Sequence, residues 1–451
     1  MNEVITFSVK EWQGSRTCKK QKEVFKMTKQ KNSRLKLMTS IALAAILCFS
    51  IAAPAFAQPI RGTEDNPAEA AITKVLLMGE GTTTPELTFS FEITSVSVDG
   101  KEATDTNMPV IGDKEVKFSA DKDGITENGV KIVRIETESL FEGVEWPHAG
   151  EFVFTVVETQ KVPQTITSQE TLLFSQAEYK VTAYVANGEE GLYVAIIVAE
   201  VVKKDGEDGA EVGEKVDPRP GGDPEVGGDF SKMIFTNIYL KTTGEGDPDD
   251  HTLSISKEVA SGEDGPDLGN REMYFDFEIT VTKSNANPNE EQKYKAYVLD
   301  ESGKVVTSKD NYEGEILTDA HGGYIVFSTG QKKLIHLKHG QWISFVDLEV
   351  GASYTVTELA RANYTPNYKQ TSNGETADMV RGTQNTSLST DVALITEELD
   401  KTDFINIFMT ITPTGISVNN LPYIVLIGLG VGSLVGFTAV KSRKRGHGNA
   451  A

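Results

Sequence analysis

Apolar and polar residues alternate in many short runs between residues 64 and 411, and Gly, Asn and Asp cluster between these runs. A period of two places every second side chain on the same face, as in a β-strand with one buried face. Such runs, separated by turn residues, are typical of antiparallel β-sandwiches. The pattern therefore predicts an all-β fold. The clearest runs are at 87–93, 152–156, 179–185, 275–281 and 354–356.

The alternating region divides into two halves, at 64–243 and 248–411, and each half ends in a strand that carries an asparagine between apolar residues. A short joint rich in Gly, Pro and Asp lies between the halves, at 244–250. The acidic, Gly- and Pro-rich stretch 203–228 precedes the last strand of the first half, so we interpret it as a mobile loop within that domain. The chain is predicted to contain two tandem immunoglobulin-like β-sandwich domains.

Both ends of the chain carry signals for export and attachment. Residues 1–57 combine a basic stretch, an apolar run and Ala55-Phe56-Ala57, a pattern typical of a signal peptide cleaved after Ala57, and Met27 offers a second start within them. Residues 421–440 carry no charge and are long enough to span a bilayer. The basic residues within 441–445 place this end in the cytoplasm. We expect an exported protein held by one C-terminal transmembrane helix.

Charge and cysteine content exclude some functions. The 451 residues include 66 Asp and Glu against 44 Lys and Arg, a formal net charge of −22. Without residues 1–57 and 415–451, the net charge becomes −33. Such a surface does not neutralise phosphates, which argues against nucleic-acid binding. Cys18 and Cys48 both fall in the predicted leader, so the exported part has no disulfide and no cysteine for a thioester.

Polar residues recur on the predicted buried strand faces, three in each half. In each half a lysine lies in the first strand, a glutamate in a middle strand and an asparagine in the last strand. Lys and Glu are rarely buried unless they are paired, because a buried unpaired charge is costly. One inward lysine is explained by a strand end that reaches water, but the same order in both halves favours a shared function. The six residues are Lys74, Glu158, Asn237, Lys257, Glu358 and Asn406.

These residue types permit an amide bond between lysine and asparagine within one domain. An apolar core lowers the pKa of a lysine and raises that of a glutamate, so both can be neutral. The neutral amine is a nucleophile, and a protonated glutamate can polarise the asparagine carbonyl and pass a proton to the leaving ammonia. Folding supplies the proximity, which lowers barriers by ~7–11 kcal/mol in well-oriented cases. Glu158 and Glu358 are therefore predicted to catalyse one turnover each, without a cofactor or metal.

The order of these residues resembles that of the CnaB-like and streptococcal pilin isopeptide-linkage domains of Gram-positive surface proteins. The resemblance covers nearly all of residues 64–415 and implies CnaB-type sandwiches with cross-links Lys74–Asn237 and Lys257–Asn406. The linked residues are 163 and 149 positions apart. Joining the first and last strands would make a pulling force act on a covalent amide, and would also resist proteolysis.

The peptide Thr412-Pro413-Thr414-Gly415, with its apolar span and basic tail, resembles the LPXTG-like sorting signal of Gram-positive cell-wall proteins. The resemblance implies that a sortase cuts after Thr414 and joins its carboxyl group to an amine. The common signal begins with Leu-Pro, whereas the variant here, with Ile416, resembles the signals of some pilin subunits. The alternative is a simple membrane anchor. The expected location is the cell surface, in the cell wall after a transient membrane stage.

The leading hypothesis is a structural subunit of a pilin-like fibre, linked by sortase to neighbouring subunits or to peptidoglycan. Lys232 and Lys241 flank the last strand of the first half, where the related pilin has its acceptor lysine. The alternative is a single wall-anchored adhesin or stalk that binds a host surface ligand. A ladder of sortase-linked oligomers distinguishes the two.

An anchored enzyme is a third hypothesis, with less support. His336-x-x-His339 lacks acids at the spacing of a zinc site, and no His-Glu-x-x-His or Gly-x-Ser-x-Gly motif is present. Asp121-x-Asp123-Gly124 lacks the rest of a calcium loop. We therefore predict no enzyme activity beyond the single self-linking reaction.

Overall fold

In a computed structural model, the described residues are 59–161, 166–206, 210–221, 230–244, 246–248, 252–260 and 269–408. This part of the chain forms 27 β-strands and contains no helix, which confirms the all-β prediction. It accordingly includes no helix of the length and apolar character needed to cross a membrane. The predicted signal peptide, transmembrane segment and sorting motif lie outside the described residues.

The first sandwich is built from strands β1 to β13. One sheet has eight strands in the order β1-β11-β10-β8-β3-β4, with β12 beside β11 and β5 beside β3; the other has five, in the order β6-β7-β2-β13-β9. The strands are β1 Ile60–Arg61, β2 Thr73–Gly79, β3 Leu87–Val98, β4 Lys101–Glu102, β5 Lys114–Phe118, β6 Ile125–Glu127, β7 Val130–Glu136, β8 Gly150–Glu158, β9 Glu170–Leu173, β10 Glu178–Asn187, β11 Leu192–Lys203, β12 Lys215–Val216 and β13 Ile234–Lys241.

The second sandwich is built from strands β14 to β27. One sheet has nine strands in the order β17-β18-β16-β20-β14-β27-β22-β23, with β24 beside β22; the other has five, in the order β19-β15-β21-β25, with β26 beside β21. The strands are β14 Leu253–Ala260, β15 Phe275–Thr282, β16 Lys293–Leu299, β17 Leu317–Asp319, β18 Gly322–Ser328, β19 Lys332–Leu337, β20 Gln341–Phe345, β21 Ser353–Glu358, β22 Tyr364–Ser372, β23 Glu375–Thr376, β24 Val380–Arg381, β25 Leu388–Ser389, β26 Ala393–Leu394 and β27 Asp400–Phe408.

The alternating pattern produces each core. In β8, Phe152, Phe154 and Val156 are fully buried between the two sheets, whereas the residues between them are partly exposed. Strand β2 departs from this rule, because all seven of its residues are buried. The outer face of β2 contributes Val75 to a second apolar cluster, and this cluster also contains Ala286 of the second sandwich. The polar residues of β2 are thus withdrawn from water on both faces.

The acidic stretch 203–228, interpreted from the sequence as a mobile loop, contains some regular structure. Strand β12 pairs with β11, where Lys215 lies opposite Glu200. The backbone N–H of Val201 also donates to the carbonyl of Glu214. Residues 210–221 therefore extend the eight-stranded sheet at its edge.

The two sandwiches touch through backbone and side-chain contacts. The Val350 N–H donates to the Lys241 carbonyl at 2.8 Å. A Cβ on Gly79 would meet the Val350 carbonyl oxygen at 2.0 Å, and a Cβ on Gly351 would meet the Gly79 Cα at 2.7 Å. Glu397 of the second sandwich accepts from the Lys241 ammonium at 3.0 Å. The absence of side chains on two glycines is what permits this close approach.

Candidate functional sites: two buried Lys–Glu–Asn clusters

Lysine and asparagine are brought together by two neighbouring parallel strands in the first sandwich. In the pairing of β2 with β13, Lys74 lies opposite Phe235 and Leu76 lies opposite Asn237. Side chains two positions apart share a face of a strand, so Lys74 and Asn237 are diagonal neighbours on the inner face. Both side chains are fully buried. Lys74 shares its strand face with Leu76, and Asn237 shares its face with Phe235 and Tyr239, all of which lie in the core between the sheets.

The glutamate reaches this pair from the opposite sheet. Glu158 is the last residue of β8, on the same face as the core phenylalanines of that strand. Its Oε2 accepts from the Lys74 ammonium at 2.7 Å, and its Oε1 accepts from Nδ2 of Asn237 at 2.7 Å. One carboxyl group therefore bridges the amine and the amide across the core.

The second sandwich repeats the arrangement in the same register. In the parallel pairing of β14 with β27, Lys257 lies opposite Phe404 and Val259 lies opposite Asn406. Glu358, the last residue of β21 in the facing sheet, accepts through Oε1 from Lys257 at 2.9 Å and from Asn406 at 2.5 Å. The structure thus brings together all six residues that the sequence analysis selected, in two clusters of three.

An aromatic shell, which strand periodicity alone does not reveal, lies around each lysine. The amine of Lys74 lies 4.8 Å from the ring centroid of Phe89, and that of Lys257 lies 4.1 Å from the ring of Phe275. Phe91, two positions after Phe89, packs on Phe235, which lies two residues before Asn237. In the same way, Phe277 packs on Phe404, which lies two residues before Asn406. The signal for this shell was a Phe-x-Phe pair in the strand that follows each lysine strand. The pairs are Phe89 with Phe91 and Phe275 with Phe277.

Burial shifts the proton affinity of both partners. Removal from water lowers the pKa of Lys74 to about 8, and the opposing attraction of Glu158 only partly offsets it. Burial likewise lowers the pKa of Lys257 to about 8. The pKa values of Glu158 and Glu358 are raised, again chiefly by burial. The apolar surroundings therefore favour a neutral amine beside a protonated acid, which is the form that amide chemistry requires.

The two clusters differ at the asparagine carbonyl. In the first, Oδ1 of Asn237 accepts from the backbone N–H of Ser175 at 2.6 Å. In the second, Oδ1 of Asn406 and Oε2 of Glu358 are buried and have no hydrogen-bond partner among the described residues. The second cluster therefore leaves one buried oxygen atom without a partner on each of two side chains that are hydrogen-bonded to each other.

The other residues considered in the sequence lie away from these clusters. Lys241 is paired with Glu397 at the contact between the sandwiches, and the Lys232 amine lies 3.6 Å from the ring centroid of Phe230. His336 pairs with Asp276 at 2.7 Å. His339 accepts from the Val259 N–H. Over the described ranges, no group of three or more His, Cys, Asp and Glu side chains is placed to hold a metal ion. Residues Thr412, Pro413, Thr414 and Gly415 are outside the described part.

Solved structures that match this chain include pilus proteins. The major pilin from Streptococcus pyogenes is 20% identical, with 76% of this chain and 100% of that chain covered and a TM-score of 0.29. The T-13 major pilin of S. pyogenes is 18% identical, with 78% and 99% covered and a TM-score of 0.30. A pilus-presented adhesin, Spy0125 (Cpa), is 16% identical, with 56% and 39% covered and a TM-score of 0.22. A search among curated proteins finds no match.

Family models match both sandwiches. Residues 251–391 match a domain of unknown function (DUF7601), a range that includes Lys257 and Glu358 and ends before Asn406. Residues 70–240 match a Spy0128-like isopeptide containing domain (FctA), and this range includes all three residues of the first cluster. The first sandwich is therefore similar, over residues 70–240, to the Spy0128-like isopeptide containing domain.

Proposed function

We propose that each buried cluster forms an isopeptide bond between its lysine and its asparagine. The Lys74 amine attacks Cγ of Asn237, a C–N bond forms, and the bond from Cγ to Nδ2 breaks. Glu158 takes a proton from the attacking nitrogen and delivers one to the leaving nitrogen, which departs as ammonia. Glu158 ends in its starting protonation state, so the reaction needs no other reagent. Lys257, Glu358 and Asn406 react in the same way.

The contacts of the glutamates support this assignment. Each carboxyl group touches both the attacking amine and the nitrogen that leaves, which is the position a proton carrier requires. In the second cluster, a protonated Glu358 would donate from Oε2 to the unpartnered Oδ1 of Asn406 and satisfy both buried atoms. A neutral acid is thus favoured by the local hydrogen bonding as well as by burial.

The observation that carries the proposal is the identical register of the two clusters. In each sandwich, the asparagine lies two residues beyond the position opposite the lysine on the neighbouring parallel strand. A structural ion pair would require no asparagine at this place. Both sandwiches therefore hold the same three residue types in the same arrangement.

At the level of the whole protein, we propose a structural subunit of a pilin-like surface fibre. The two bonds would stiffen each domain, and sortase would join Thr414 to a neighbouring subunit or to peptidoglycan. Two sandwiches in direct contact, each with a bond between its lysine-bearing strand and its last strand, suit a rod that transmits tension. This placement at the cell surface rests on the predicted leader and sorting signal together with the pilin-like domains.

The isopeptide bonds are tested by the intact mass of residues 58–414, which contain every described residue. Each bond releases one ammonia, so the expected mass lies two ammonias, ~34 Da, below the sequence value. Glu158→Ala and Glu358→Ala should each restore ~17 Da beyond the mass change of the substitution. Glu258→Ala, which changes an exposed residue next to Lys257, is the control and should keep both bonds. A wild-type chain at its full sequence mass would refute the proposal.

The fibre role is tested separately in wall extracts of cells that carry a sortase. A fibre subunit produces a ladder of covalent oligomers on a denaturing gel, whereas a single anchored adhesin produces one species. Thr414→Ala should abolish the ladder because it removes the threonine side chain beside the Thr414–Gly415 bond that the sortase is expected to cut. A wild-type chain that never exceeds one subunit in mass would favour the adhesin.

A further inference from the structure

The side-chain carbonyl of Asn237 accepts a hydrogen bond from the segment that connects β9 to β10. Between β9 and β10, residues 174–177 cross from the five-stranded sheet to the eight-stranded sheet. Strand β9 pairs with β13 only up to Leu173, opposite Ile238. The chain then leaves the ladder beside Asn237, and the Ser175 N–H donates inward to Oδ1 at 2.6 Å.

Asp205 holds this crossing segment against β13. Its Oδ2 accepts from the Ser175 hydroxyl at 2.8 Å and from the Thr236 N–H at 2.7 Å. Its Oδ1 accepts from the Gln176 N–H at 3.1 Å. Thr236 directly precedes Asn237, so one carboxylate ties the donor and the strand of the acceptor together. Asp205 does so from the acidic stretch that follows β11.

The second sandwich has a different arrangement at the equivalent place. Strand β22 remains paired with β27 from Tyr364 to Thr371, and Pro366 lies opposite Asn406. Proline has no N–H, and Asn406 Oδ1 has no partner in the part of the chain that the structure describes. The backbone donor is thus a property of the first cluster.

We propose that the Ser175 N–H is an oxyanion-hole donor for isopeptide formation in the first domain and that Asp205 is its positioning residue. This inference rests on the proposed function. When the Lys74 amine adds to Cγ of Asn237, the electron pair of the C=O bond moves to Oδ1, which becomes negatively charged. A donor already aimed at that oxygen stabilises the charge without reorganising. Glu158 is bonded to Nδ2, so the acid serves the leaving group while Ser175 serves the oxygen.

The test follows ammonia loss from each domain during refolding of residues 58–414. Denatured, unlinked chains are diluted into folding buffer, quenched at intervals and digested, and the masses of the linked peptides are measured separately for the two domains. Ser175→Pro removes the N–H and should slow linkage in the first domain by ~100-fold, in line with other oxyanion donors. Asp205→Ala keeps the N–H but loosens it and should slow linkage by about 10-fold.

The second domain of the same molecule is the internal control, and its rate should not change. Asp205→Asn keeps one acceptor oxygen and should give a rate between those of wild type and Asp205→Ala. Ser175→Ala keeps the N–H and loses the hydroxyl contacts with Asp205 and with the Ala177 N–H, so it should react much faster than Ser175→Pro. Circular dichroism reports the folded fraction of each variant. A merely structural role of Asp205 would lower the folded fraction and leave the linkage rate per folded chain unchanged.

The outcomes separate this inference from the proposed function. If the wild-type first domain loses ammonia and Asp205→Ala does so at the same rate per folded chain, the role of Asp205 is overturned. If Ser175→Pro folds and links at the wild-type rate, the oxyanion donor is overturned as well; if it does not fold, the Asp205 series decides. An absence of ammonia loss in the wild-type first domain would refute the proposed isopeptide bond itself.

Discussion

At the residue scale, each site contains a lysine and a glutamate whose side chains are both completely removed from water. The desolvation of such a pair often exceeds its mutual attraction, so a buried ion pair is not by itself a stabilising element. Amide formation converts the ionisable amine into a neutral group that an apolar core accommodates more readily. Under the proposed reaction, the folded, unlinked domain would be a reactive state, and formation of the amide would remove its buried charge.

The rate of linkage should depend on pH with a maximum between two limits. At pH values between the raised pKa of Glu158 and the Lys74 pKa of about 8, one of the two ionisable protons of this pair has been lost, and the two side chains share the other. Below this window both are protonated and no free amine exists; above about pH 8 both lose their protons and none is left for the leaving ammonia. Initial rates of ammonia loss during refolding across pH should rise, level and fall. A rate that continues to climb well above the lysine pKa would contradict the role of the glutamate.

At the element scale, the lysine-bearing strand and the last strand of each domain are neighbours and run parallel. Strand β2 pairs with β13 and β14 pairs with β27, so nearly the whole domain serves as the connection between two adjacent strands. Parallel strands cannot be joined by a short turn, and long closures cost entropy. A covalent link between these strands fixes the most sequence-distant pairing of the domain.

Loss of one link should destabilise its own domain. By analogy with disulfides that close loops of similar length, the contribution through the unfolded state reaches ~5 kcal/mol. Glu358→Ala should therefore lower the melting temperature of the second domain in differential scanning calorimetry, and Glu158→Ala that of the first. Glu258→Ala, on the exposed face of β14, should leave both transitions in place. Equal melting of linked and unlinked domains would show that the bond adds no stability.

At the scale of the whole molecule, the two sandwiches are docked and do not simply share a linker. Glu397 accepts from Lys241 and from the backbone and hydroxyl of Thr83. Asn285 of the second sandwich donates to the Asn128 carbonyl at 2.7 Å. Ala286 lies in the apolar cluster on the outer face of β2. The contact thus combines apolar burial with hydrogen bonds from both domains.

Gly351→Ala should loosen this contact. The φ of Gly351 is +82°, and a Cβ there would lie 2.7 Å from the Gly79 Cα. Gly374→Ala is a matched control, because its φ is +74° but the nearest atom to a Cβ is 3.8 Å away. Both variants carry backbone strain of ~1–3 kcal/mol, so only a difference between them reports the contact. The distribution of distances between spin labels on the two sandwiches should broaden for Gly351→Ala and not for Gly374→Ala. Equal distributions for the two variants would exclude a tight interface.

Side chains two positions apart share a strand face, so the lysine, glutamate and asparagine of each half could be assigned to buried faces from the sequence, and their repetition in the same order distinguished them from other polar residues. The Phe-x-Phe pairs were visible as strands, but their contact with the lysines depends on which strands face one another across the core. No sequence pattern predicts the roles of Ser175 and Asp205, because the direction of a backbone N–H depends on the path of the segment between β9 and β10. The docking of Gly79 on Gly351 joins residues far apart in sequence and leaves no periodic trace.

The parallel neighbours β2 and β13 have a further consequence once Lys74 and Asn237 are joined. The chain between them then becomes a closed ring, with the rest of the protein attached at the ring's closure. A single cut by a host protease in any loop of the ring opens it but releases no fragment, because both cut ends remain attached through the isopeptide bond. A fibre assembled from such subunits would keep its length after being nicked, and only two cuts within one ring could free a piece of it.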